Sequence, residues 1–99
     1  MVERSAEFFT GDFNELAAQA GRALSSDLLQ AADLVDRASA NGGKVLIVGN
    51  GGSAAIAAHV AVDLVKAAGR RSMTFNESSL LTCYSNDFGY SDWVAEAIS

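Results

Sequence analysis

The stretch Lys44-Val45-Leu46-Ile47-Val48-Gly49-Asn50-Gly51-Gly52-Ser53-Ala54 decides the fold. Val45, Leu46, Ile47 and Val48 are consecutive branched apolar residues with no alternation. That pattern predicts a strand covered on both faces, as in a parallel sheet. Gly49-Asn50-Gly51-Gly52 reads as a tight turn. Ser53 to about Ala68 then predicts a helix, Ala-rich and apolar nearly all round, broken only by His59, Asp63 and Lys66. Strand, glycine-rich loop and helix in that order open a doubly wound α/β sheet.

Upstream, Asn41-Gly42-Gly43 is a helix stop, because these residues accept the left-handed conformation of a helix end. Before it, Leu28, Ala32, Val35 and Ala38 predict a helix that Ser25 or Ser26 can cap. An earlier amphipathic helix is predicted over 5–20 from Phe8, Phe9, Phe13, Leu16 and Ala20, with Gly21 ending it. Downstream, Gly69-Arg70-Arg71 closes the central helix, and Ser72-Met73-Thr74-Phe75 predicts a short second strand. Residues 78–85 predict one or two helical turns, with Asn86-Asp87-Phe88-Gly89 as a loop behind them. A last helix is expected over 91–98, capped by Ser91 and burying Trp93, Val94, Ala95 and Ile98. Cys83, between apolar and aromatic neighbours, is expected to be buried.

The 99 residues allow one domain at most, and 49% apolar with 19% charged residues is a globular composition. The net charge of −5, with no basic cluster, argues against a nucleic-acid partner. The single cysteine forbids an internal disulfide. No long uncharged apolar stretch and no basic start leading into an apolar run is present, so neither a membrane span nor a signal peptide is expected. The expected location is the cytoplasm.

Backbone N–H groups at the start of a helix are unpaired and carry partial positive charge, and glycines let a ligand approach them. Gly49–Ala54 therefore suits a phosphate or a polyol phosphate, with Asn50 and Ser53 as polar handles. The other reading is a steric turn. The same residues fit a dinucleotide fingerprint, but the acidic residue that fingerprint needs is missing from 67–76. No Gly-Lys-Ser/Thr follows the loop, which excludes a Walker A motif. His59 and Asp63 share a helix face and could hold a divalent metal such as zinc, form an acid–base pair, or be the polar stripe of an apolar helix with Ile56 and Lys66. Asp87, after Asn86, could orient a substrate hydroxyl or cap a helix.

Taken together, Gly42–Ile47, Gly49-Asn50-Gly51-Gly52-Ser53-Ala54-Ala55, His59 and Asn86-Asp87-Phe88-Gly89-Tyr90 resemble the sugar isomerase (SIS) domain of phosphoheptose isomerases. The resemblance implies a three-layer doubly wound parallel sheet, here an incomplete N-terminal half over 42–99, behind two helices in 1–41 that serve oligomerisation. It implies conversion of sedoheptulose 7-phosphate to a heptose 7-phosphate by proton transfer through an enediol. By the same resemblance Asn50, Gly51, Gly52, Ser53, Asn86 and Asp87 contact the sugar phosphate. His59 and Asp63 are ligands of a zinc ion, and Asp63 is also the acid–base group. The family usually has Glu where Asp63 stands, and a shorter side chain loses about 1.5 Å of reach. The family often has Asp where Ile56 stands. A dimer or tetramer is implied, with sites at subunit boundaries. A later Ser/Thr-rich phosphate loop and further metal ligands have no counterpart here. The expectation is therefore a truncated or split enzyme, inactive until a C-terminal half is supplied. The alternative is a non-catalytic module that binds a sugar phosphate or another protein.

Overall fold

The computed structural model describes residues 5–99. In chain order the elements are α1 (Ala6–Gly21), α2 (Ser25–Ala40), β1 (Val45–Leu46), α3 (Gly52–Lys66), β2 (Ser72–Met73), α4 (Ser78–Phe88) and α5 (Trp93–Ile98). This is an α/β chain, mostly helical, with one two-stranded parallel sheet among the described residues. It divides into two compact units, one ending at Ala32 and one running Asp33–Ser99.

In the first unit, Ser5 caps α1 by accepting the Phe8 amide at 3.1 Å. The Gln19 side chain donates to Glu15 at 2.9 Å along the helix. No residue of α1 is buried, and Phe13 is 69% exposed. Helix α2 begins at Ser25, with the Leu24 carbonyl accepting from Asp27 and Leu28. Leu24, not a serine, therefore holds the cap position, and the expected Ser25 or Ser26 cap is corrected.

The second unit carries the sheet. Glycine-mediated termination of α2 is as expected: Gly42 has φ +76°, and the Gly43 amide donates back to the Ala38 carbonyl at 2.8 Å. A Cβ on Gly43 would meet that carbonyl oxygen at 2.9 Å, so the chain can turn this tightly only with glycine there. Val45 then pairs with Ser72 and Leu46 with Met73 in parallel register. The Val45 amide donates to Arg71 and the Ile47 amide to Met73, at 2.9 and 3.0 Å. The ladder is shorter than the apolar run, and Val45–Val48 are half-buried where cover on both faces was expected. One strand pairs with β1 among the described residues, so its other edge and much of its surface lack a partner.

The core is small: Ala57 and Ala61 on α3, and Trp93 on α5, which is 2% exposed. Ala57 and Ala61 are one turn apart, so α3 lies close on the sheet through small side chains. The Ser72 hydroxyl donates to the Ala61 carbonyl and ties β2 to α3. Arg70, behind α3, bonds Asp36 of α2 at 2.9 Å.

Helix α4 departs most from the sequence expectation. It runs to Phe88, so Asn86 and Asp87 occupy its last turn and not a loop. Glu77 starts it, its carboxylate accepting from the Ser79 and Leu80 amides at 3.1 Å each. Gly89, at φ +92°, ends it. Cys83 is exposed and not buried, its Sγ 3.8 Å from an Asp87 carboxylate oxygen one turn on. Asp92, with no side-chain bond, holds the N-cap position of α5 expected for Ser91, and Ile98 is exposed. No helix of the described residues is long and apolar enough to cross a membrane.

Candidate functional site

Strand β1 delivers the chain to Gly49, and α3 begins three residues later. The turn between them is very tight. A Cβ on Gly49 would lie 2.5 Å from the Ser53 carbonyl carbon and oxygen and 2.9 Å from the Ala54 nitrogen. Gly49 is therefore a steric requirement: the loop folds back onto it. Gly51 is a conformational one. Its φ of +55° with ψ −125° is a backbone state that a side chain strains, and it occupies the N-cap position of α3. A Cβ at Gly51 or Gly52 meets nothing within 4 Å, so the outer side of the loop is open.

The amides of the loop divide into two pairs. Ser53 and Ala54 donate to the Asn50 and Gly51 carbonyls at 3.0 Å each. Gly51 and Gly52 have no backbone or side-chain acceptor among the described residues. The expectation of unpaired donors at this helix start thus holds for two glycine amides and is corrected for Ser53, whose amide is taken up locally.

Two side chains from beyond β2 reach the loop. Asn76 accepts the Gly49 amide through Oδ1 at 2.9 Å and donates from Nδ2 to the Gly49 carbonyl at 2.8 Å. The Tyr90 hydroxyl donates to Asn50 Oδ1 at 2.6 Å. Sequence reasoning passed over Asn76. Its one visible signal was an amide side chain just ahead of a helix start, where such residues commonly bond backbone groups.

Further along α3, His59 Nε2 lies 3.4 Å from Asp63 Oδ2, with side chains 78% and 52% exposed. Gly52, Ile56, His59 and Asp63 fall on one helical stripe, spaced by four, three and four residues. At 1.5 Å per residue, His59 is about 10 Å and Asp63 about 16 Å along the axis from Gly52. One extended polyol could therefore touch both the loop and this pair. Asn86 Nδ2 donates to its neighbour Asp87 Oδ1 at 3.1 Å at the far end of α4. Asn50 is thus joined through Tyr90 to the segment that follows Asn86 and Asp87. No bond links Asn86 or Asp87 to the loop, or His59 or Asp63 to either, among the described residues.

An imidazole and a carboxylate one turn apart are suitable donor types for zinc. They are two where three or four are needed, and no group of three or more His, Cys, Asp or Glu is gathered among the described residues. The pair fits as part of a ligand set.

A parallel β1–loop–α3–β2 unit with an open glycine-rich turn defines an α/β module with a ligand-accessible loop. The SIS domain family matches residues 8–98, and the chain belongs to it. Among its homologues are phosphoheptose isomerases. That of Bordetella avium is 36% identical over 98 residues, covering 93% of this chain and 49% of its own length. That of Syntrophotalea carbinolica is 35% identical, covering 82% of this chain and 44% of its own length. The solved phosphoheptose isomerase of Neisseria gonorrhoeae superposes with a TM-score of 0.80 at 30% identity, over 93% of this chain and 52% of that one. The chain thus spans about half the length of the relatives it matches.

Proposed function

We propose that this chain supplies the first half of a phosphoheptose isomerase site, converting sedoheptulose 7-phosphate to a heptose 7-phosphate. The observation that carries this reading is the open Gly51–Gly52 turn set on one stripe with the His59–Asp63 pair, in a chain homologous to such enzymes. The Gly51 and Gly52 amides and the Asn50 and Ser53 side chains bind oxygens of the sugar phosphate. Asn86 and Asp87 contact its hydroxyls.

Aldose–ketose isomerisation moves a proton between adjacent carbons through an enediol. Asp63, as a carboxylate, accepts the proton from one carbon and returns it to the next. His59 lies beside that carboxylate, its Nε2 3.4 Å from Oδ2. The same two side chains are the residues that would hold zinc, which when bound polarises the substrate carbonyl. Among the described residues no third donor is gathered beside them.

The half-length match supports the remaining architecture. The two-stranded parallel sheet is the start of a three-layer wound sheet, completed by a C-terminal half. Residues 1–41 assemble copies of the chain into a dimer or tetramer, since α1 and α2 expose their phenylalanines and leucines. With two metal donors and an open sheet edge, the chain alone is expected to bind substrate weakly and not to turn it over.

The test is titration of sedoheptulose 7-phosphate into 15N-labelled protein, followed by an isomerisation assay with a complementary C-terminal half. Shifts at the Gly51 and Gly52 amides and turnover in the complemented protein support the proposal. Absence of any loop shift at millimolar ligand refutes it. Shifts without turnover under any complementation establish a non-catalytic sugar-phosphate module, the reading favoured by Ile56 at a position where the family often has Asp.

A further inference from the structure

We propose that Asn76 is the positioning residue of the Gly49–Ser53 loop, setting through its side-chain amide where the ligand-facing glycine amides lie. The inference rests on the proposed function only in the identity of the ligand.

The sheet ladder stops at the Ile47 amide. Two residues later, Gly49 has a part-buried N–H and C=O with no strand opposite them among the described residues. Asn76 takes the strand's place. One planar carboxamide accepts from the Gly49 N–H at 2.9 Å and donates to the Gly49 C=O at 2.8 Å, engaging both backbone groups of a single residue. This fixes the peptide planes on either side of Gly49, which a single bond would not.

The amide is itself held. Thr74 Oγ1 accepts the Asn76 backbone N–H at 3.2 Å and donates to Asn76 Oδ1 at 3.3 Å. Next in sequence, Glu77 locks the chain at the start of α4. Gly49 in turn fixes the loop, because Ser53 and Ala54 pack directly on its Cα, where a Cβ would find 2.5 Å. A shift of Gly49 therefore moves the start of α3, and with it Gly51 and Gly52. Among the described residues Asn76 bonds no loop residue other than Gly49, so it acts through Gly49.

The side chain must present an acceptor and a donor at once. Aspartate keeps the acceptor and sets a carboxylate against the Gly49 carbonyl, and alanine loses both bonds. The experiment compares Asn76→Ala, Asn76→Asp and Ser72→Ala with the parent, by sedoheptulose 7-phosphate titration and amide hydrogen exchange, at a temperature where all are folded. Ser72→Ala removes a different tertiary hydrogen bond, to the Ala61 carbonyl, away from the loop.

The expected result is a dissociation constant raised about tenfold in Asn76→Ala and Asn76→Asp, unchanged in Ser72→Ala, with faster exchange at the loop-bonded Ser53 and Ala54 amides confined to the Asn76 variants. A dissociation constant at the parent value in both Asn76 variants, or an equal rise in Ser72→Ala, overturns the proposal. If the parent binds no sugar phosphate, the functional reading fails. Exchange then decides: faster exchange at Ser53 and Ala54, whose amides bond within the loop, in Asn76→Ala sustains the positioning role, and parental exchange there overturns it.

Discussion

The Tyr90 hydroxyl donates a 2.6 Å hydrogen bond to Asn50 Oδ1, across 40 residues of sequence. That bond fixes the orientation of the Asn50 carboxamide. With Oδ1 engaged, the Asn50 Nδ2 group has no acceptor among the described residues, which leaves it free for the proposed sugar-phosphate contact. Tyr90→Phe keeps the ring and removes the donor, leaving the carboxamide free to rotate. A net hydrogen bond of this kind contributes about 1 kcal/mol. We expect sugar-phosphate affinity to fall roughly fivefold, with the thermal midpoint lowered by no more than about 4–8 °C. Calorimetric titration of the variant against the parent checks this, and an unaltered affinity would show that the bond does not order Asn50 for binding.

The glycines of the loop should separate by substitution. Gly49→Ala drives a Cβ into the Ser53 carbonyl and is expected to destabilise the protein by about 2 kcal/mol, as overpacking commonly does. Gly51→Ala has space but must adopt a φ of +55°, costing of order 1–3 kcal/mol. Gly51→Val combines that strain with bulk, so it perturbs the loop itself as well as ligand access. Gly52→Ala has neither problem. It should fold normally and still weaken ligand binding, because its methyl stands in the approach to the glycine amides. Thermal denaturation beside ligand titration distinguishes the three positions.

Glu77 gives the protein an acid-sensitive helix start. Hydrogen bonds from the Ser79 amide, then the Leu80 amide, favour its carboxylate and lower its pKa from the ordinary 4.5. A depressed folded-state pKa contributes stability that is present above the unfolded value and lost as pH falls through the folded one. Stability should therefore decline in the window below pH 4.5, and Glu77→Gln should flatten that decline. Urea denaturation followed across acidic pH provides the measurement. An equally steep decline in Glu77→Gln would assign the acid sensitivity elsewhere.

Asp63 and His59 should behave differently when altered. Asp63→Asn retains shape but cannot accept a proton, so a complemented protein should keep sugar-phosphate binding and lose turnover by 100-fold or more, on the order expected for a general base. Asp63→Glu restores a methylene and is expected to keep or raise turnover. Zinc should bind the chain alone weakly, since two donors are too few, and His59→Ala should abolish what binding there is. Tight one-to-one zinc binding unaffected by His59→Ala would exclude the pair as ligands.

Exposed apolar side chains on the leading helices predict self-association. Phe13 on α1 and Leu29 on α2 are 69% and 71% exposed. Sedimentation velocity at micromolar concentration should show a dimer or tetramer. Phe13→Lys or Leu29→Lys should shift the distribution toward smaller species while leaving helix content unchanged. A monomer at all concentrations would contradict the assembly assigned to residues 1–41.

What the sequence determined by itself is the local grammar of the chain. Gly42 and Gly43 stop α2 because only glycine takes the backbone turn there. Gly49 and Gly51 space a strand from a helix, and His59 and Asp63 meet because a helix brings i and i+4 together. Those relations are set within a few residues, by sterics and helical geometry, so they are legible without a fold. The two-strand parallel pairing followed from the apolar run, although the length of the ladder did not.

The tertiary structure decided what depends on contacts distant in sequence. Asn86 and Asp87 read as loop because Asn-Asp before Phe-Gly is turn chemistry, yet α4 carries through them to Gly89. Cys83 read as buried from its neighbours, but a face of α4 is turned outward and exposes it. Asn76 and Tyr90 were silent until the fold set them against Gly49 and Asn50, 27 and 40 residues away. A side-chain hydrogen bond to a distant backbone leaves no periodic trace in sequence. It is chosen only when packing of β2 and α4 brings donor and acceptor within 3 Å, and that is why the loop was visible in the sequence and the side chains that brace it were not.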